Sequence, residues 1–288
     1  MKFKEITAAD AAVFEKFKTA GENSCENTFI TQLMWNNLYR NSFAVVDGTL
    51  YIRSEFKTGE VYSLPFGDLE NGVRRINAEN GAPARFWAQE GARFERFCAA
   101  FSDEYIFSER TDAADYIYLR DELADLPGKR FHGKRNHISA FSKKYDWRYE
   151  PITAENLESI RSCAELWYQE NEEKDSVYLN AEHIGLRLLL DGLVHLPVKG
   201  GAIFCGEKAV AFTIGSEINS LTYDIHIEKA LREYQEAYSV INREFAKNEL
   251  EGYKWINRED DMGLDGLRQA KLSYHPVKRL KKYDCIPR

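Results

Sequence analysis

The run GAIFCGEKAVAFTIGSEINSLTYDIHIE, Gly201 to Glu228, constrains the fold more than any other part of the chain. It is rich in β-formers and is broken at Gly206-Glu207 and again within Ser216–Ser220, so it reads as three consecutive antiparallel strands. Such short turns rule out a regular βαβ series here, because a parallel crossover needs about a dozen residues or more. FAVVDGTLYIRS carries the same message nearer the N-terminus. Two β-rich runs flank Asp47-Gly48, a pair suited to a type I′ hairpin turn.

The remaining elements fit around these strands. Thr7 and AADAAVFEKFKTAG read as a capped helix closed by Gly21, and FERFCAAF as an amphipathic helix. VYSLPFG, ARFWA and DYIYLR read as strands, and RRINAEN as part of a helix. The second half then runs strand, helix, helix, three strands, helix, strand, helix, strand, and the first half resembles a looser copy. A chain of 288 residues suits two domains, at roughly 100–200 residues each. The expected organisation is therefore α+β, with mixed but largely antiparallel sheets, divided into 1–147 and 148–288. In KRNHISAFSKKY, Ile138, Phe141 and Tyr145 recur at helical spacing, which predicts a helix bridging the halves with its cations outward.

Hydrophobic residues at 44% and aromatics at 13% supply two cores and exclude intrinsic disorder. No run of 18 apolar residues exists, so no membrane span is expected, and MKFKEITAADAAVFEKF lacks the apolar core of a secretory signal. Cys25, Cys98, Cys163, Cys205 and Cys285 are scattered and never form C-x-x-C. That pattern predicts reduced thiols and a cytoplasmic location, with neither a disulfide framework nor a zinc ribbon.

The charge is unevenly spread. Leu126 to Tyr145 holds six Lys/Arg, two His and no acid, while the whole chain has a net charge of -7. A basic block on an acidic background predicts an anionic partner. Within it, Gly128–Lys134 matches the front of a P-loop, but Arg135 stands where Ser or Thr should bind magnesium. Phosphate contact by Lys129, Lys134 or Arg135 without P-loop geometry is the better reading. His226-Ile227-Glu228 has the H-x-E form of a zinc deaminase, but no P-C-x-x-C follows, and no metal site is expected.

LREYQEAY, Leu231 to Tyr238, lies between a strand and a helix, where GNAT-type acyltransferases carry R/Q-x-x-G-x-G/A to hold a pyrophosphate on backbone N–H groups. Arg232 and Ala237 fit that pattern, and Gln235 replaces its glycine. Together with GKRFHGKRN, HIEKALREYQEAYSVINREFA and INREDDMGLDGLRQAKLSYHP, this stretch resembles the DUF2156 family. That family's domain is similar to the C-terminal domain of phosphatidylglycerol lysyltransferases. The resemblance covers most of the chain. It implies two GNAT-like domains in tandem, as in the Fem-type aminoacyltransferases that take amino acids from charged tRNA.

The resemblance implies an acyltransferase moving an aminoacyl or other acyl group from aminoacyl-tRNA or acyl-CoA to an amine or hydroxyl. The resemblance leaves the acceptor open among a small molecule, a peptide and a lipid. Glu259, Asp260 and Asp261 crowd one strand end, where one carboxyl of raised pKa suits a general base, with Asp260 or Glu259 in that role. Lys134, Arg135, Asn136 and Arg232 are candidates to hold donor phosphates, and Arg268 with Lys271 to clamp an anion. The competing readings are a non-catalytic module binding RNA or a phosphorylated ligand, and acids that merely cap a helix and neutralise Arg268 and Lys271.

Overall fold

The computed structural model describes residues 1–19, 21–172 and 176–288. Its strands are β1 (Lys4–Glu5), β2 (Ser42–Val46), β3 (Thr49–Phe56), β4 (Gly59–Ser63), β5 (Phe86–Gln89), β6 (Tyr105–Leu119), β7 (Trp147–Pro151), β8 (Val198–Cys205), β9 (Lys208–Asn219), β10 (Thr222–Ala230), β11 (Trp255–Asn257) and β12 (Lys278–Pro287). The helices are α1 (Ala11–Phe14), α2 (Phe29–Met34), α3 (Asn36–Tyr39), α4 (Leu69–Asn80), α5 (Ala92–Phe101), α6 (Arg120–Asp125), α7 (His132–Lys144), α8 (Leu157–Gln169), α9 (Val177–Gly192), α10 (Ala237–Glu249) and α11 (Asp265–Leu272).

All twelve strands form one sheet, in the order β1-β2-β3-β4-β5-β12-β6-β11-β10-β9-β8-β7. Read from the two ends, this order is the same series twice: β1 to β5 then β12, and β7 to β11 then β6. Each half contains one parallel pair, β4 with β5 and β10 with β11, and the other described pairs are antiparallel. The final strand of each half crosses into the other. β12 pairs with β5, and β6 pairs with β11, while β6 and β12 pair with each other at the centre. This is the tandem GNAT-like α+β plan, built as a single mixed sheet with exchanged central strands.

Local chemistry explains most of the elements. Asp47 and Gly48 sit at φ 50° and 72°, the left-handed pair that a type I′ turn needs. In α7, Ile138 and Phe141 are buried at 5% and 1% exposure, each worth roughly 1.5–3 kcal/mol of burial. Arg135, Lys143 and Lys144 face solvent as the pattern predicts. Lys134 does not. It is half-buried, with Nζ 3.7 Å from the centre of the Tyr274 ring. An apolar cluster joins Phe29, Ile30 and Leu33 to Leu186, Leu189 and Phe212, so the halves share a core.

Two local expectations change. The Thr7 segment is not one helix: 3-10 turns at Ala8–Asp10 and Glu15–Phe17 flank α1, and Ala20 lies outside the described residues. The Ser216–Ser220 break is also shorter than expected. β9 runs on to Asn219, whose Oδ1 accepts from the N–H groups of Leu221 and Thr222 at 3.0 and 3.1 Å and closes the turn by itself.

Candidate functional site

The polar centre of the molecule lies where β12, β6, β11 and β10 adjoin. Four buried polar residues come from these strands: Lys282, Asp115, Asn257 and Asp224. Lys282 Nζ is 2.6 Å from Asp115 Oδ1 and donates to Glu26 Oε1 at 2.6 Å. Burial opposes the Lys282 ammonium, but Asp115, Cys25 and Glu26 outweigh it and hold its pKa well above the usual lysine value. Asp115 also accepts from the Cys25 N–H at 3.0 Å and from Asn257 Nδ2 at 2.9 Å, and its pKa is lowered despite burial. A buried ion pair with its remaining lone pairs satisfied is the arrangement that survives desolvation.

Two irregularities aim side chains into this centre. On β6, pairing with β12 jumps from Leu280↔Asp115 to Lys282↔Arg110. On β10, pairing with β9 jumps from Ile225↔Gly215 to Ile227↔Ile214, so His226 is the extra residue of a bulge. Gly215 is required beside it, since a Cβ there would lie 2.1 Å from the Asp224 carbonyl oxygen. His226 Nε2 pairs with Ser216 Oγ at 2.7 Å, and Nδ1 lies 3.1 Å from Glu259 Oε1 and 3.4 Å from Asp224 Oδ2. That last contact is within ion-pair range but is not aligned as a hydrogen bond. Both Asp224 oxygens therefore lack a hydrogen-bond partner, and burial, Glu259 and Asp115 push its pKa well up.

The loop from β11 to α11 carries the three acids seen in the sequence, and the fold gives each a different state. Glu259 and Met262 adopt left-handed φ values of 54° and 50°, a conformation that is costly for non-glycine residues and clusters at functional sites. Glu259 turns inward to His226. Asp260 is pushed up to about 6 by burial, with Asp115 and Glu26 adding repulsion against the pull of Lys282 and Lys271. Asp260 Oδ1 accepts from the Met262 N–H at 3.0 Å. Burial alone would also raise Asp261, but hydrogen bonds from Arg268, Tyr116 and the Gly263 N–H hold it down to about 2.

Of the other predicted site residues, Lys271 reaches Asp260, while Lys134, Arg135, Asn136 and Arg232 make their described contacts elsewhere. Arg268 and Lys271 do not form a joint anion clamp. Arg268 forks onto Asp261 at 3.0 and 3.1 Å, while the buried Lys271 donates to the carbonyls of Arg258 and Asp260. A neighbouring carboxylate and two unfilled carbonyls satisfy them before any ligand does. Arg135 donates to the carbonyls of Leu126 and Gly128, and Asn136 Nδ2 lies 3.1 Å from His132 Nε2. The Arg232 main-chain N–H, in the loop expected to hold a pyrophosphate, donates to Glu170 Oε2 at 2.8 Å, and its guanidinium to the Glu170 carbonyl. Lys134 is brought to about 8 by burial and by Arg258.

β10 and β11 pair only from Thr222↔Trp255 to Asp224↔Asn257, after which β10 continues to Ala230 paired with β9 but no longer with β11. Arg258 and Glu228 bridge the resulting gap at 2.7 Å, both side chains 11% exposed. The site residues missed in the sequence are Cys25, Glu26, Asp115, Asp224, His226, Asn257 and Lys282. A signal did exist: an acid stands inside each of the apolar strands AADYIYL and TYDIHI, and such an acid has to be paired or functional.

The chain matches the family described as "Phosphatidylglycerol lysyltransferase, C-terminal" over residues 17–286. Among solved structures, a conserved protein of unknown function from Bacteroides thetaiotaomicron is 35% identical, with a TM-score of 0.91 and 100% of both chains covered. The L-PGS structure from Bacillus licheniformis gives a TM-score of 0.67 at 16% identity, covering 98% of this chain and 92% of that one. The FemX structure gives 0.58 at 11% identity, covering 99% and 97%. An uncharacterised protein from Mycoplasmoides gallisepticum is 23% identical over 173 residues, which are 59% of this chain, and the chain spans about half (55%) of that relative's length. Among the described residues, no helix is long and apolar enough to cross a membrane.

Proposed function

The chain belongs to the phosphatidylglycerol lysyltransferase C-terminal family, and from that premise we propose that it transfers an aminoacyl group from aminoacyl-tRNA to an amine or hydroxyl acceptor. The family and fold are those of acyl transfer. The observation that carries the mechanism is Asp260, a half-buried carboxyl raised to about 6 in the loop after β11. At neutral pH it is mostly ionised yet far more basic than an ordinary aspartate, which is the condition for a general base. It takes the proton from the acceptor as that nitrogen or oxygen attacks the ester carbonyl carbon. The tetrahedral intermediate then collapses with cleavage of the bond to the ribose oxygen, and the proton passes to that leaving oxygen.

Lys271 supports the base indirectly. By holding the Arg258 and Asp260 carbonyls it fixes the loop that presents the Asp260 side chain. Lys134 is the proposed phosphate contact: its ammonium, lowered to about 8 by burial and Arg258, is still mostly charged at neutral pH, and a phosphate beside it would favour that charge. The Glu170 carboxylate on the Arg232 N–H, and Gln235 in place of glycine, favour a tRNA donor over a CoA pyrophosphate. The test is transfer of radiolabelled amino acids from charged tRNAs, run beside labelled acyl-CoAs, to pooled amine, peptide and lipid acceptors. Label moved from tRNA by the wild type but not by Asp260→Asn supports the proposal. Label moved only from acyl-CoA refutes the donor, and full activity of Asp260→Asn refutes the base.

A further inference from the structure

We propose that Cys25, Asp224 and Glu259 bind a single divalent cation of the zinc class. One donor atom from each, the Cys25 thiol sulfur and one oxygen of each acid, lies within 4.8 Å of the others. A common ion closes that spacing with bonds of about 2.3 Å to sulfur and about 2.0–2.2 Å to oxygen. Sulfur mixed with carboxylate oxygen and a nearby imidazole suits zinc better than magnesium or calcium, which favour all-oxygen shells.

A neighbouring triad shows why the cation belongs at this one. Cys25, Glu26 and Asp115 converge in the same way, but Lys282 already supplies their positive charge, 2.6 Å from each acid. In the second triad Lys282 reaches Cys25 alone, with Nζ 3.5 Å from the sulfur, and among the described residues no Lys or Arg pairs with Asp224 or Glu259. Asp224 is 0% exposed, and neither of its oxygens accepts a hydrogen bond. A fully buried carboxyl without a donor is costly in any protonation state, and a bound ion removes that cost. His226 Nδ1 lies beside both acids, and Ser216 engages the opposite ring nitrogen, as outer partners of metal-bound histidines do. The Glu259 side chain is 22% exposed and marks the side from which an ion enters.

Occupancy is read without substrate, so its outcome is independent of the acyl-transfer reading. The full chain, dialysed against chelator and then titrated with Co²⁺, is expected to take up one equivalent and to show a thiolate-to-cobalt charge-transfer band. Asp224→Asn, which is isosteric, should weaken uptake at least tenfold with an unchanged circular-dichroism spectrum. Cys25→Ser should abolish the band and Cys98→Ser should keep it. If Cys25→Ser does not fold, Asp224→Asn decides alone. No stoichiometric uptake by the wild type, wild-type affinity in Asp224→Asn, or loss of the band in Cys98→Ser overturns the assignment.

Discussion

Replacing Asp260 with asparagine should make the protein more stable while making it inactive. The carboxyl titrates at about 6 in the fold, against an ordinary value of 3.8. A native pKa above the unfolded one means that the folded state binds the extra proton, so stability is full below about 3.8 and declines as pH rises through 6. At pH 7.5 the ionised group costs up to about 3 kcal/mol, from 1.36 kcal/mol per pKa unit. Asparagine removes that charge and keeps the oxygen that accepts from the Met262 N–H, so the turn survives. Urea denaturation at pH 7.5 with chelator present should therefore show Asp260→Asn about 1–3 kcal/mol more stable than the wild type. The gain should vanish near pH 4, where both side chains are neutral. In the transfer assay the same variant should lose roughly 10²–10⁴-fold in turnover. A stability difference that is flat with pH would refute the raised carboxyl, and wild-type turnover would refute its role.

Asp261 should behave in the opposite sense: its carboxyl is held down to about 2, so Asp261→Asn should cost about 2 kcal/mol at pH 7, with the deficit closing as pH falls through 2. Lys282→Met strands Asp115 and Glu26 and should destabilise by roughly 3–5 kcal/mol in urea melts, with much of the loss recovered on adding Asp115→Asn; no recovery would contradict the pairing. Lys129, Lys143 and Lys144 have no ion-pair partner among the described residues, whereas Arg130 is paired with Glu122. If those three free cations meet single-stranded tRNA phosphates, log K against log salt should slope by roughly -2, measured by filter binding; a slope near zero removes α7 from the interface.

Local patterns announced the elements but not their neighbours. The Asp47-Gly48 hairpin, the buried stripe of α7 and the three strands after Gly201 each carry their own turn chemistry or period, and each is found where that signal lies. β12 carries no comparable signal. The final strand is expected from the order of elements, but VKRLKKY carries four cations in seven residues. Lys282 is nonetheless 3% exposed at the centre of the sheet. Burial there depends on a partner strand well over a hundred residues away, which no local period encodes. The acids at Glu259–Asp261 were visible as a charge cluster, but their separate states were not. Tyr116, Lys282 and the left-handed backbone at Glu259 assign those states, and all three come from tertiary structure.

The exchanged strands also set a clock for synthesis. β5 and β6 should have an antiparallel neighbour between them, and that neighbour, β12, is translated last of all the strands. At roughly 5–20 residues per second, on the order of 10–30 s separates the end of β6 from the start of β12. Throughout that interval β5 lacks its inner partner, and β6 lacks one on both sides until β11 is made, leaving unpaired edges, the surfaces most prone to pairing with another chain. The protein's yield in a cell then depends on what shields those edges while the ribosome finishes.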